Sequence, residues 1–225
     1  GTNITTIDLK NVETIGANSF TGSLLKTVTM TKVTTINQHS FASTQLTSVE
    51  LPQTVSTIQT QAFANCDKLT HVKFPRNVST TTSDIFEGCN SLTQLTITGE
   101  GDMKNYSETE QPWKSLKTIL TTINFENNVT TVGNYAFYQY TSLTTIKWGG
   151  VTIIGQYSFT GCTAMATIDL STSITTVSDY AFQGCSGVEF LSLGRVIYIK
   201  PYAFDQITKL TTLGIPDSVD EINIV

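Results

Sequence analysis

Phenylalanine returns along this chain at an almost fixed step. Phe20, Phe41, Phe63, Phe86, Phe137, Phe159, Phe182 and Phe204 stand 21, 22, 23, 51, 22, 23 and 22 residues apart, most of them preceded by Ala or Ser. A period of this length marks a solenoid, in which each repeat is one coil that cannot bury its apolar side alone and must stack on copies of itself. The long interval covers about two periods, and Trp113 can fill its aromatic slot. Leu120, Ile123, Phe125, Val129 and Val132 then follow in the order that Leu69, Val72, Phe74 and Val78 follow Phe63.

One coil, Phe159 to Phe182, shows why the unit folds. Cys162, Met165, Ile168, Leu170, Ile174, Val177 and Ala181 make an apolar ladder, and Cys185, Val188, Leu191, Leu193, Val196, Ile199 and Ala203 repeat it. Ile168-Asp169-Leu170 alternates apolar, polar, apolar, the period-two pattern of a strand with one face buried. Its equivalents are Val49-Glu50-Leu51, Val72-Lys73-Phe74 and Ile146-Lys147-Trp148. A second, short extended piece ends at Val177 or Ile58 and is rich in β-branched residues, which suit a pleated surface. The Ala-Phe turn, often with Asp or Asn before it and Gly-Cys after, reads as one or two turns of helix or 3-10 structure.

The 225-residue chain carries 18 acidic and 13 basic residues, a net charge of -5, with only 14% of residues charged. Ser and Thr fill that deficit at 60 positions. The basic residues form no run, and an acidic chain of this kind does not suit nucleic acid, whose binding rests on Lys and Arg at phosphates. No apolar window reaches the length of a membrane span, and no basic-then-apolar leader is present. Gly1 precedes a repeat already under way and reads as a processing or engineered scar, so a missing leader says nothing about export. Asn223-Ile224-Val225 is apolar and in mid-ladder, where a solenoid calls for a polar cap. That edge is expected either to have been trimmed or to meet something.

The departure from the period is Gly99 to Trp113, GEGDMKNYSETEQPW, punctuated by Gly99, Gly101 and Pro112. It reads as a loop or irregular coil. Glu100, Asp102, Glu108 and Glu110 lack the alternating ligands and closing Glu of an EF-hand loop, so a solvated loop is favoured over a calcium site.

The run Ala62-Phe63-Ala64-Asn65-Cys66-Asp67-Lys68-Leu69-Thr70-His71-Val72-Lys73-Phe74-Pro75, with Ala181-Phe182-Gln183-Gly184-Cys185, resembles the leucine-rich repeat of the BspA type, roughly A-F-x-x-C-x-x-L-x-x-I-x-L-P-x-x-V-x-x-I. The likeness covers almost the whole chain. The segment Leu95 to Met103 with Tyr106 and Pro112-Trp113 is similar to a G-x-G-x-M-x-x-Y…P-W stretch found beside such repeats in gut-bacterial surface proteins. The resemblance implies a right-handed α/β solenoid and a single repeat domain over residues 1–225 with an irregular insertion at 99–113. It also implies a cell-surface or secreted place and adhesion to host or microbial surface proteins or glycans. The family shares no catalytic residues, so none carries over and no cofactor is implied. Pro follows the strand only at Pro52, Pro75 and Pro216, and Tyr140, Thr44 and Ile207 stand where Cys is usual.

Cys66, Cys89, Cys162 and Cys185 all lie three residues after an anchor Phe and form two adjacent-coil pairs. Two disulfides or a metal site is one reading. The favoured one is a small buried thiol, because identical ladder positions point in parallel while a bridge needs converging Cβ vectors. No Cys-x-x-Cys or nearby His completes a zinc set. His39 and His71 occupy different positions in different coils, no Ser-His-Asp or Cys-His set is indicated, and Asp8, Glu50 and Asp169 lie coils apart. Catalysis is therefore not expected. The sequons at Asn3, Asn77, Asn105 and Asn128 are no more than chance supplies at this Asn, Ser and Thr content.

What remains is the strand face. Residues flanking the first apolar strand position should project outward in two columns, Thr6, Thr27, Ser48, His71, Gln94, Thr122, Thr145, Thr167, Phe190, Thr212 and Asp8, Thr29, Glu50, Lys73, Thr96, Asn124, Lys147, Asp169, Ser192, Gly214. They vary where the ladder does not, as on solenoids that bind partners along one surface. Candidate binding residues are Glu50, His71, Lys73, Gln94, Asn124, Lys147, Asp169 and Phe190. Phe190 is an aromatic in a polar column, either an anchor for a partner or covered by a shifted register. The expected function is a non-enzymatic binding or adhesion module. The alternatives are a structural spacer in a longer surface protein or, third, a hydrolase with a site in the 99–113 insertion.

Overall fold

The computed structural model describes residues 3–82 and 84–222, so Gly1 and the Asn223-Ile224-Val225 end lie outside the described residues. The chain divides into two compact units, one of residues 1–99 and 109–120 and the other of residues 100–108 and 121–225. The first unit holds strands β1 (Thr6–Asp8), β2 (Thr14–Ile15), β3 (Thr27–Thr29), β4 (Thr35–Ile36), β5 (Ser48–Glu50), β6 (Thr57–Ile58), β7 (His71–Pro75), β8 (Thr80–Thr81) and β9 (Gln94–Thr98). The second holds β10 (Gly101–Asp102), β11 (Thr122–Phe125), β12 (Val129–Val132), β13 (Thr145–Lys147) and β14 (Ile153–Ile154). It continues with β15 (Thr167–Asp169), β16 (Thr176–Val177), β17 (Phe190–Ser192), β18 (Tyr198–Ile199) and β19 (Glu221–Ile222).

Each unit is a stack of β-coils with parallel pairing at one-coil spacing. In the first, β1 pairs with β3, β5 with β7 and β7 with β9, while β2, β4, β6 and β8 pair in series. In the second, β11 pairs with β13, β15 with β17, and β10, β12, β14, β16, β18 and β19 run in series. The insertion is thus partly ordered, since its Gly101–Asp102 segment supplies β10. Of the ten expected positions in the first strand column nine are strands, and Thr212 and Gly214 carry none.

The Ala-Phe turns are not helical. Among the described residues the helical content is one 3-10 turn, Lys114–Leu116. The reason lies in the backbone. Two residues before the anchor Phe the chain is left-handed, as at Gln61 (φ 54), Tyr157 (φ 55) and Tyr180 (φ 58), and two residues after it again, as at Asn65 (φ 56) and Gly184 (φ 69). Between these kinks the Phe N–H reaches into the next coil instead of back along its own. Phe41 donates to the Ala62 carbonyl, Phe159 to Ala181 and Phe182 to Ala203, each at 2.8 Å. A helix would direct those N–H groups to its own carbonyls, so the turn gives up helix to make a third inter-coil ladder.

The ladder residues pack as their period predicts. Phe41, Phe63, Phe86, Phe137, Phe159 and Phe182 are fully buried. Their rings stack with centroids 5.1 Å apart for Phe41 and Phe63, 5.5 Å for Phe137 and Phe159, and 5.4 Å for Phe159 and Phe182. Trp113 is buried and meets Phe74 edge-on at 5.2 Å. The four cysteines are free buried thiols. Their Sγ–H groups donate to the Phe41, Phe63, Phe137 and Phe159 carbonyls one coil back at 3.1, 3.0, 3.3 and 3.2 Å. Burial pushes the Cys185 thiol up to about 12, as befits a core group.

The abundance of Ser and Thr has a structural use. The hydroxyls of Thr34, Ser56, Ser79, Thr152 and Thr175 donate to the carbonyls of Glu13, Thr34, Ser56, Thr130 and Thr152 one coil back. Each satisfies a carbonyl and ties two coils for a net of about 1 kcal/mol. Phe159→Ala, which empties the middle of the aromatic column, should cost about 3–5 kcal/mol in urea unfolding. Phe20→Ala, at the half-exposed end of its column, should cost clearly less. Equal costs would mean that the stacked rings are not what holds the coils.

Candidate functional site

The strands fix which residues share the outward face. In the first unit the register sets Ser48 beside His71 beside Gln94, and Glu50 beside Lys73 beside Thr96. Val49, Val72 and Leu95 between them are buried. Alternation along a strand then turns the flanking side chains the other way. Glu50 and Gln94 are exposed, and His71 and Lys73 are half-buried. Lys73 Nζ lies 3.2 Å from a Glu50 carboxylate oxygen, an exposed pair of small energetic weight. Thr96 departs from the expected outward column and is buried at 8% exposure, its hydroxyl 2.8 Å from His71 Nε2.

Those neighbours set the state of His71. Burial first, then the Lys73 charge, lower its pKa below 6.5, while Glu50 pulls the other way. The neutral imidazole is therefore the form this face holds at neutral pH. Because the folded pKa is the lower one, the unfolded chain binds the extra proton first, and stability is lost as pH falls through about 6.5.

In the second unit Asn124 stands beside Lys147, Thr167 beside Phe190 and Asp169 beside Ser192. Asn124 is half-buried, Lys147 and Asp169 are exposed, and Asp169 Oδ1 accepts the Ser171 N–H at 3.0 Å. Phe190 is 58% exposed in an unshifted register, so nothing in its strand covers it. Leu213 and Ile215 are also exposed, at 36% and 49%. The eight candidate residues thus fall as Glu50, His71, Lys73 and Gln94 in one unit and Asn124, Lys147, Asp169 and Phe190 in the other.

Among the described residues no group of three or more His, Cys, Asp or Glu could hold a metal ion. In the insertion, Asp102 Oδ1 accepts hydrogen bonds from the Thr130 and Thr131 hydroxyls at 2.7 and 2.6 Å. That carboxylate is engaged in holding β10 on β12.

Two features escaped the reading of the sequence. Tyr135, Tyr157, Tyr180 and Tyr202 all stand two residues before an anchor Phe and form one half-buried stacked column at the turn edge, with centroids 4.7, 4.6 and 4.7 Å apart. Burial and then neighbouring phenol and carboxylate charges raise the Tyr157 pKa. The signal was present as Tyr-Ala-Phe or Tyr-Ser-Phe in four successive coils. The second is an opening in the strand column between β13 and β15, where Trp148 occupies a slot that Leu51, Leu170 and Leu193 fill in other coils.

Comparison with known proteins agrees with this architecture. The family model described as BspA type leucine-rich repeat region matches residues 1–107 and 115–224 in six copies. Among solved structures, a T. pallidum leucine-rich repeat protein is 23% identical over 73% of this chain and 78% of its own, with a TM-score of 0.51. That likeness shows the fold. A leucine-rich repeat protein from Eubacterium ventriosum is 20% identical, covering 96% of this chain and 74% of its own, with a TM-score of 0.46. A leucine-rich cell surface protein from Faecalibacterium prausnitzii is also 20% identical, covering 89% and 68%, with a TM-score of 0.40. No curated protein matches the chain.

Lys73→Ala should move the His71 pKa back up toward 6.5, and Glu50→Gln should lower it further, in an NMR titration of the imidazole C–H signals. A His71 midpoint indifferent to both changes would show that the two charges do not act on this ring.

Proposed function

The chain belongs to the BspA type leucine-rich repeat family, and on that footing we propose that it is a non-enzymatic binding module at the cell surface or in secreted form. It contacts surface proteins or glycans, of host or microbial origin, through its strand face. The observation that carries this reading is the division of labour within each coil. Ladder residues such as Val72, Ile168 and Leu191 are spent on packing. Register-fixed neighbours such as Glu50, Lys147, Asp169 and Phe190 are exposed and differ from coil to coil. A rigid backbone presenting varied side chains costs little ordering on binding. Among the described residues no helix is long and apolar enough to cross a membrane.

Phe190 is the anchor in this scheme, because an exposed ring regains on contact the water-exclusion energy it forfeits in the free protein. His71 and Lys73 supply polar contacts, with His71 neutral at physiological pH. A hydrolase centred on 99–113 gains no support, since Asp102 is engaged by two threonines and Trp113 is core.

The test is capture of the purified protein on immobilised extracellular-matrix proteins and glycans, compared with a His71→Ala, Lys73→Ala, Phe190→Ala variant. The variant should bind at least about tenfold more weakly, the scale of losing one aromatic anchor, with an unchanged circular dichroism spectrum and melting temperature. Absence of any partner, or a variant that binds like the parent, overturns the reading.

A further inference from the structure

In the second unit the strand column is open between β13 and β15. β13 pairs with β11 and β15 with β17, but among the described residues no ladder joins β13 to β15. At three equivalent positions a backbone N–H makes the link, Leu9 to the Thr29 carbonyl at 2.9 Å, Leu51 to Lys73 at 3.0 Å and Leu170 to Ser192 at 2.8 Å, while among the described residues Met30 and Leu193 lack it as Trp148 does. Here the Asp169 carbonyl is taken by the Trp148 indole Nε1–H at 2.8 Å. The indole cannot withdraw to let the backbones close. It is stacked on Phe125 at 6.1 Å and meets Phe159 and Phe182 edge-on at 5.6 and 6.3 Å.

The consequence is a cleft of about 330 Å³ between the two coils. Thr145, Thr167 and Asp169 stand at its mouth, and Ile146, Met165 and Trp148 lie within it. Ile146 is half-exposed, although its counterparts Ile123 and Ile168 on either side are buried. The opening also leaves an acceptor behind. The Thr121 carbonyl receives the Thr144 and Thr145 N–H groups, and the Ala166 carbonyl receives those of Glu189 and Phe190. Thr144, the residue at that place on the cleft, receives neither of the corresponding N–H groups among the described residues.

A cleft with a carboxylate at one end, an unfilled carbonyl at the other and an apolar wall between them suits an elongated cation rich in N–H donors. Thr144 and Asp169 are offset by about three strand residues, on the order of 10 Å, a span that an extended arginine residue matches. Guanidinium offers a planar fork of donors to a carboxylate and is weakly hydrated enough to enter a partly apolar slot. The face of the indole is covered by Phe125, so no open ring remains for a sugar to stack on. The unit as a whole carries eleven Asp and Glu against five Lys and Arg, a balance of -6 that favours a cationic visitor.

We propose that the cleft between Thr145–Lys147 and Thr167–Asp169 receives one arginine side chain of a partner protein, with its guanidinium on the Asp169 carboxylate and its stem along Ile146 and Met165. This rests on the strand-face reading above and narrows it to a cation-reading position. The chain has two tryptophans, and the fully buried Trp113 of the other unit serves as an internal reference. The indole N–H signals are followed by NMR during titration with acetyl-Gly-Arg-Gly-amide, its citrulline analogue and methyl glucoside. The arginine peptide should shift the Trp148 signal saturably and leave Trp113 still. Asp169→Asn should weaken that response about tenfold, the scale of a hydrogen bond to a charged group. A silent Trp148 signal, or equal shifts from the citrulline peptide or the glucoside, overturns the proposal. If Trp148 is silent while partner capture by the strand face survives, the cleft assignment alone falls.

Discussion

The structure depends on one constraint, that a coil of about 22 residues has no internal partner for most of its backbone hydrogen-bonding groups and must find them in the next coil. Three ladders meet that demand: the first strand column, the second strand column, and the turn ladder in which each anchor Phe N–H reaches the following coil. The apolar residues are arranged to keep these ladders dry. Stacked Phe rings, thiols bonded to carbonyls and Ser or Thr hydroxyls on backbone oxygens repeat coil after coil. In such a stack most contacts are between nearest neighbours, so stability is close to a sum of coil and interface terms.

That economy leaves several side chains on the outward strand face outside the ladder. Evolutionary freedom there costs the fold little, because Glu50, Lys147 and Asp169 touch water rather than the ladder. The same logic makes departures from the repeat informative. Trp148 is accommodated inside the core, but its indole takes over a carbonyl that the backbone serves elsewhere, and a cleft results.

Most of the architecture was legible because it rests on period and polarity. The Phe anchors, the Val72, Ile168 and Leu191 core positions, the buried thiols and the filling of a slot by Trp113 all follow from a repeated pattern of side-chain hydrophobicity. Ala-Phe flanked by polar residues is a fair helical signature, but Gln61, Tyr157 and Tyr180 adopt left-handed conformations that a non-Gly sequence does not announce, and the Phe N–H groups bond to the next coil. The opening at β13 is not legible in the sequence either, since a hydrophobic pattern does not say whether a given backbone N–H meets a carbonyl in the next coil. Alternation turns Thr96 outward, but in the structure it is buried with its hydroxyl against His71 of the preceding coil. The strand face could be located, and the partners it selects belong to the proposals above.

Inter-coil backbone bonds hold the stack, and the one expected between β13 and β15 is missing at Trp148; native-state amide hydrogen exchange tests both statements at once. The Leu170 amide, bonded to the Ser192 carbonyl, should exchange slowly, as should the Trp148 indole N–H, while the Trp148 main-chain amide exchanges faster than Leu170 by two orders of magnitude or more, about 3 kcal/mol of lost protection. A Trp148 amide protected as well as that of Leu170 would contradict the second, because the two coils would then be joined by the same backbone bond that Leu170 makes.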